Sequence, residues 1–443
     1  MRICRITILT IAVLVETFSS RASFANSETN AVQITPAFIN ALADEAQTNN
    51  PSLRAASRRV AAARANETSI RTWEDPMLRF GIMGGDRPKR MDDGDLLYGV
   101  EQKLPLFGKP QAERRVAKAE AQIVEAESLN KFQQLRRDIA EAVFRAALAS
   151  RAVEIAREDL NWLDLILAST ERRYETGNSM QFDVLRLQNE RGQRTNQLAT
   201  ALQTLSHEHV NLNRLLNRDL RSSWPALHLP AVAQPIVFDD YLVHLALKGS
   251  AELKMRRQEI TQSEAMVDVS RRKRYPDFSL GAEVRNFRET GEFRQSMVTL
   301  SFNLPLGNRK RYNADIRREE AKLQATQLET TDAELALKNE IHALTVKIDS
   351  ARREALLYRD EIIPRSELAL GSVTSGWESG RATFRDLLDA RRMLLDARLM
   401  YARAVTEQFQ MMSELVLCCG LGDLDALQMI GVGLENQPEE NKP

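Results

Sequence analysis

KLPLFGKPQAE, spanning Lys103 to Glu113, returns 200 residues later as NLPLGNRKRYN, spanning Asn303 to Asn313. The echo extends upstream at the same spacing: Pro76, Leu78, Phe80 and Ile82 are matched by Pro276, Phe278, Leu280 and Ala282. Tyr98, Val100 and Gln102 are likewise matched by Val298, Leu300 and Phe302. Each set occupies every second position, with Arg79, Gly81, Ser279, Gly281, Glu283, Thr299, Ser301 and Asn303 among the residues between. One face is mostly apolar and the other small or polar, which is strand periodicity. The polar stretches GDRPKRMDDGD and NFRETGEFRQ join the members of each set. Each half of the chain is therefore expected to contribute one β-hairpin, about residues 76–104 and 276–304.

The segment after each hairpin has a different period. From Gln111 to about Thr176 there is no proline, and Phe132, Leu135, Ile139, Ala142, Ala146, Ala149, Val153, Ala156, Leu160, Leu163 and Leu167 alternate three and four apart. This is a heptad seam, and at 1.5 Å per residue the helix would run roughly 100 Å. The second half repeats it with Leu337, Ile341, Leu344, Ile348, Ala351, Ala355, Tyr358 and Ile362, and Pro364 is expected to kink that copy near its end. Each long helix ends in a matching turn, YETGNSMQFDVLRLQ from Tyr174 and WESGRATFRDLLDAR from Trp377, with Gly177 aligned to Gly380 and Asp183 to Asp386. Glycine stops the helix, and a new one is expected to start within a few residues, capped by Ser179 or Thr383. The fold class is thus mainly α with a small β part, internally duplicated, with two long antiparallel helical hairpins. These cover residues 111–218 and 311–419, with tips near 177 and 380.

The opening MRICRITILTIAVLVETFSSRASFA, with two arginines, an apolar stretch from Ile6 to Val15 and small residues at Ser23 and Ala25, reads as a secretory signal cut after Ala25. That stretch is too short to span a bilayer as a helix, for which about 20 residues are needed, and no other run comes close. A helical membrane protein is excluded. Cys4 is not placed to become a lipidated first residue, and Cys418 and Cys419 cannot form a disulfide framework; adjacent near a helix end, they read as buried small apolar residues. Lys plus Arg and Asp plus Glu balance at 61 each, which gives no hint of nucleic-acid binding. With 28% charged and 6% aromatic residues, the composition suits long solvated helices. The expected organisation is a signal over 1–25, a first repeat over 26–220, a proline-bearing link over 221–250, a second repeat over 251–420 and a tail over 421–443. The segment before Pro51 is expected to be peripheral.

Exported β-structure spans a bilayer only as a closed barrel, and single-chain bacterial barrels begin at eight strands. This chain has four, so several chains must pool their hairpins; three would give twelve strands continuing into twelve helical segments. At this point the chain resembles the TolC family, the outer-membrane factors of tripartite export systems. The resemblance rests on the twin LPL strand ends at Leu104–Leu106 and Leu304–Leu306, FGKPQAE after the first, IIP at Ile362–Pro364 and the twin tips, and it covers about Pro51 to Gly420. It implies a homotrimer with a twelve-stranded barrel in the outer membrane and a helical tunnel across the periplasm. The implied partners are outer-membrane lipid, a periplasmic adaptor and an inner-membrane pump, with passive conduction and no catalytic site. The chain also lacks a Walker A loop, a G-x-S-x-G elbow and an H-E-x-x-H pair.

Several residues are candidates for function. Pro105 and Pro305 are expected to end strand pairing at the membrane edge, with Gly108 and Gly307 allowing the change of direction. Gly177, Ser179, Leu185, Gly380, Thr383 and Leu388 are the expected adaptor-docking tips. Asp386 and Asp389 stand three apart on one helical face, and threefold symmetry would make them rings of carboxylates around the pore; the resemblance implies an acidic constriction there. Asp183, followed by Arg186, is a less acidic version. No metal or cofactor site is expected: His207 and His209 lie about 200° apart on a helix, and Met77, Met83 and Met91 are explained by strand alternation and loop position. Two rival readings remain: a periplasmic coiled-coil scaffold with no membrane part, and an exported enzyme, which would need a pocket with convergent titratable groups. The exported cargo is open among metal cations, small organics and polypeptides, with the segment Glu101–Arg115 leaning toward heavy-metal efflux.

Overall fold

The computed structural model of the chain describes residues 32–70, 72–84, 94–288, 290–422 and 424. The expected signal segment, the first inter-strand loop with Met91, and most of the tail lie outside the described residues. In chain order the elements are β1 (Val32–Gln33), α1 (Pro36–Asn49), α2 (Pro51–Ser69), β2 (Met77–Gly84), β3 (Gly94–Leu104), α3 (Lys109–Glu175) and α4 (Gln181–Leu216). The second half holds β4 (Leu227–His228), α5 (Asp240–Gly249), α6 (Ala251–Arg272), β5 (Phe278–Phe287), β6 (Phe293–Phe302), α7 (Arg309–Leu357), α8 (Ile363–Glu378) and α9 (Phe384–Cys419).

The two hairpins join into one antiparallel sheet of order β2-β3-β5-β6. The register stacks the alternation seen in sequence: Phe80 opposes Tyr98, Tyr98 opposes Val284, Val100 opposes Ala282, and Ala282 opposes Val298. One face therefore carries Leu78, Phe80, Ile82, Leu96, Tyr98, Val100, Leu280, Val284, Val298 and Leu300. The other carries charges, with Arg79 paired to Glu101 and Arg285 to Glu283. Phe80, Val298 and Leu300 are among the most exposed large apolar residues of the chain. The outer edges of β2 and β6 have no partner strand among the described residues.

Below the sheet the duplication is structural. Helix α3 runs unbroken for 67 residues; its counterpart is split by a π turn at Tyr358–Ile362, where the Ile363 N–H reaches the Tyr358 carbonyl five residues back. The cause is Pro364 in the first turn of α8, which lacks an N–H and whose ring would collide with a helical carbonyl four residues earlier. The predicted seams are the buried ones: Ile139, Ala142, Ala146 and Val153 on α3, and Ile341, Ile348, Ala351 and Ala355 on α7. Alanines there bring α3 and α7 close to α9, around stacked Phe144 and Phe409 (5.2 Å between centroids). Asn50 ends α1 and caps α2, and Ser250, again 200 residues on, ends α5 and caps α6.

Three expectations change. The segment before Pro51 is not peripheral: Ile39, Leu42 and Ala46 of α1 belong to the main core, because α1 lays an apolar stripe on α3 and α4. The stretch 221–250 contains α5, the equivalent of α1, and Gln408 of α9 pins it through two hydrogen bonds to the Ala233 backbone (3.1 and 3.2 Å). Nor are the two strand-to-helix junctions alike. Gly108 is left-handed (φ +65°) beside Phe107 (φ +59°), after Pro105 closes β3. Gly307 has no positive φ; it sits inside a 3-10 turn, Pro305–Asn308, that makes the same handover with ordinary backbone.

Candidate functional site

At the end remote from the sheet, each helical hairpin closes by the same hydrogen-bond scheme. After α3, Gly177 N–H donates to Tyr174 O (2.9 Å) and Asn178 N–H to Arg173 O (2.7 Å); after α8, Gly380 N–H donates to Trp377 O (3.1 Å) and Arg381 N–H to Gly376 O (2.7 Å). Both are Schellman turns, which need the left-handed conformation that Gly177 (φ +74°) and Gly380 (φ +73°) adopt. The turns lie side by side: Gly177, Ser179, Asp183, Gly380 and Thr383 line one open cleft. Arg173 ties them together, donating to the Glu378 carbonyl (3.2 Å) and lying 4.5 Å over the Trp377 ring.

The helices that leave the turns begin differently. Thr383 caps α9 in a full capping box: the Asp386 N–H donates to Thr383 Oγ1 (3.3 Å), and the Thr383 N–H donates to Asp386 Oδ2 (2.9 Å). Ser179 does not cap α4. That position falls to Met180, whose side chain offers no acceptor, and the Ser179 hydroxyl instead lies 3.5 Å from Asp183 Oδ2. The spacing from glycine to cap is the same in both copies, but the first places its hydroxyl residue two positions after the glycine instead of three, so Met180 takes the place that Thr383 holds in the second.

Asp386 is thus a capping residue as well as a candidate pore charge. The Thr383 hydroxyl first, and its backbone N–H second, hold its carboxyl below the usual aspartate range, so it stays ionised into acid. Asp389 is exposed and 3.7 Å from Arg385. Neither lines the cleft that holds Asp183. Leu388, expected at the docking surface, is only 3% exposed and packs with Leu163, Leu187, Phe384 and Leu387 in a small core that joins the two hairpins; its counterpart Leu185 is 51% exposed. The correction has a plain cause: α9 lies against α3 within the chain, whereas the matching face of α4, with Met180, Phe182 and Leu185, has nothing over it.

One group was missed by reading along the sequence. Asp159 of α3 and Glu190 of α4, both buried, meet Arg391 (3.2 Å to Asp159) and Arg392 (2.7 Å to Glu190) of α9, with Arg194 reaching both carboxylates (3.3 and 3.0 Å). Burial works to raise the Glu190 carboxyl, but Arg392 and Arg194 outweigh it and hold it below the usual range. The network fixes α9 to the first hairpin just above the tips, and its partners lie some 200 residues apart in sequence.

Among the described residues one set of three possible metal ligands gathers, Glu340, Glu414 and Cys418, within 4.8 Å of one another. It suits a cation poorly. Arg137 already holds Glu414 at 3.1 Å through both oxygens, and burial, then the two carboxylates, push the Cys418 thiol strongly up, away from thiolate. Burial pushes Cys419 up to about 12. Both cysteines are therefore expected to resist a maleimide at pH 8 in the folded protein and to react fully in denaturant, read by mass spectrometry.

A four-stranded sheet with free edges and one apolar face, mounted on two tandem helical hairpins, is the fold of a known group. The sequence profile of the outer membrane efflux protein family matches residues 42–218 and 242–420. The chain belongs to this family. Among curated proteins it is similar to the cobalt-zinc-cadmium resistance protein CzcC of Cupriavidus metallidurans, with 22% identity over 383 residues covering 85% of this chain and 88% of that one. Among solved structures it is similar to CusC (17% identity, TM-score 0.77, covering 88% of this chain and 93% of that one). It is also similar to the outer-membrane channel OprN (19%, TM-score 0.76, covering 88% and 90%) and to the Campylobacter jejuni CmeC channel (15%, TM-score 0.74, covering 94% of each chain). Outer membrane efflux proteins are trimeric channels that work with an adaptor and an inner-membrane pump. This chain is the outer-membrane channel component of such a system, reaching into the periplasm, and it is not an enzyme.

Proposed function

We propose that three copies of this chain pool their sheets into one twelve-stranded barrel whose apolar face meets outer-membrane lipid, and that the paired tips at Gly177 and Gly380 are where the adaptor docks. Two features support the assembly. The edges of β2 and β6 are unpaired among the described residues, and an uncovered edge seeks a strand. A stripe of exposed apolar residues, Leu328, Leu335, Val346 and Leu357, runs down α7 at spacings of 7 and 11, which keep one helical face. That stripe and the bare face of α4 are what a neighbouring copy would cover. No nucleic acid enters this reading, and neither does a cofactor.

Asp386 and Asp389 are the proposed charges of the narrow end, with Asp183 contributing from the cleft between the tips, and divalent metal cations are the proposed cargo. The supporting observation is that the Asp386 carboxyl, exposed beside the tip turn, is held below the usual aspartate range by Thr383, and the resemblance to a cobalt-zinc-cadmium resistance protein agrees with it. Asparagine is the informative replacement, because it keeps an oxygen for the capping box while removing charge; alanine would also take from the Thr383 N–H the acceptor it has in Asp386. Single-channel recordings are expected to show cation preference and block by a trivalent ion at the tip side in the wild type. Both should be lost in the Asp386→Asn, Asp389→Asn double variant. Equal block in both proteins would leave the two aspartates as solvated cap residues.

A further inference from the structure

Along the helices arginines are repeatedly matched to acids, as at Arg115–Asp268, Arg137–Glu414 and Arg353–Asp349. The end of the sheet where strands give way to helices departs from this. The last turn of α6 and the residues after it read Arg271-Arg272-Lys273-Arg274, and α7 opens with Arg309-Lys310-Arg311. Arg271 bridges Glu320 (2.8 Å) and Arg272 bridges Asp268 (3.0 Å). Lys273, Arg274, Arg309, Lys310 and Arg311 are exposed and have no ion pair or side-chain hydrogen bond among the described residues. Arg274 shares a cleft between α6 and α7 with Arg271, Asn313 and Arg317; the one acid there, Glu320, is engaged by Arg271.

The internal duplication supplies a control. The positions 200 residues earlier are Arg71, Thr72, Trp73 and Glu74, then Lys109, Pro110 and Gln111. Opposite the five unpaired cations of the second copy, at Trp73, Glu74, Lys109, Pro110 and Gln111, there is one cation, and Lys109 is already held by Asp277 (2.7 Å) and the Tyr275 carbonyl (2.6 Å). The strand-to-helix handover is thus built without a basic run, so the free cations of the second copy are not required by the fold.

Their position indicates what they meet. Phe278 and Phe302, stacked at 5.4 Å, end the sheet on this side; Arg274 precedes the first by four residues and Arg309 comes seven after the second. An apolar band, an aromatic rim and then unpaired cations repeat the order of a leaflet: acyl chain, interface, phosphate. The helices lie on the periplasmic side, so this rim belongs to the periplasmic leaflet. We infer that each chain carries here a site for anionic phospholipid, in which Arg274, Arg309, Lys310 and Arg311 hold phosphodiester headgroups, whereas Lys273 turns to the cleft that holds Glu74, Glu113 and Asp277. The inference rests on the sheet's apolar face being lipid-facing. In a trimer it gives three separate lipid sites alternating with three near-neutral rims, not a continuous basic ring.

The test is native mass spectrometry of the trimer released from nanodiscs of phosphatidylcholine containing phosphatidylglycerol, comparing wild type with the Arg274→Gln, Arg309→Gln, Arg311→Gln variant. The wild type is expected to retain phosphatidylglycerol preferentially, less so at high salt, and the variant to lose that preference by on the order of tenfold or more. A Lys338→Gln, Lys347→Gln variant, altered far down α7, should behave as wild type. No preference in the wild type, or an undiminished one in the triple variant, overturns the proposal. So does a variant whose bound lipid is unchanged but whose ion selectivity shifts, since its cations would then line the pore. Failure of the lipid-facing reading itself would show separately, as wild-type protein that forms no conducting channel in a bilayer of any composition, and would remove the proposal with it.

Discussion

Arginine at Val298 is expected to keep the chain out of the outer membrane, whereas arginine at Thr299, one residue along β6, is expected to be tolerated. Val298 is 75% exposed in the single chain and opposes Ala282 on the apolar face. Thr299 opposes Gly281 on the face that carries Arg79, Glu101, Glu283 and Arg285. A basic side chain turned to lipid near the middle of a barrel strand costs about 2–4 kcal/mol, and a threefold assembly would bear it three times. The same side chain turned inward meets water and acids. Outer-membrane fractionation with equal expression should show strong depletion of Val298→Arg and near-normal recovery of Thr299→Arg. Equal recovery of both would mean that the apolar face does not meet lipid, and the periplasmic scaffold reading would gain.

Loss of export with intact assembly is the expected result of Gly177→Val combined with Gly380→Val. Nothing lies within 4 Å of a Cβ built at either glycine, so the change does not clash within the chain. The effect is conformational: leaving left-handed backbone open to a β-branched residue costs roughly 1–2 kcal/mol at each site. The strain falls on two exposed turns, well away from the core around Phe144 and Phe409. Each Schellman turn would re-form differently and alter the shape presented to an adaptor. Crosslinking to the adaptor and export should both fall, with trimers still extracted. Asparagine at the same positions tolerates the left-handed region and should preserve more activity. Unchanged crosslinking in the double valine variant would remove the docking role.

Much of this arrangement is legible in the residues because it is periodic or local. Alternation at Leu78, Phe80 and Ile82 announces a strand, Ile139, Ala142 and Ala146 a buried helical seam, and Gly177 and Gly380 a left-handed stop. The parts that are not legible depend on what a residue meets in space. Leu185 and Leu388 stand at matching places in duplicated motifs, yet one is bare and the other buried, because Leu388 turns into the small core with Leu163 and Leu187 while Leu185 turns away from it. Gly108 and Gly307 look equivalent, but one residue of difference between FGKP and GNRK lets the second junction turn without a positive φ. In the network of Asp159, Glu190, Arg194, Arg391 and Arg392 only the Glu190–Arg194 pair is local, four apart on α4; the other contacts join three helices and leave no pattern along the chain. Helix α5 was hidden among the prolines of the inter-repeat stretch, where turn residues outweighed a ten-residue amphipathic run.

Among the described residues the four-stranded sheet leaves the outer edges of β2 and β6 unpaired, and the proposed barrel needs three chains to close them together. The most direct measurement is the mass of the detergent-extracted protein, by light scattering or native mass spectrometry, on material drawn from the outer-membrane fraction. The expected result is a stable species of three chains that inserts into planar bilayers as one conducting pore. A monomer released from membranes by carbonate, with no pore activity, would contradict it.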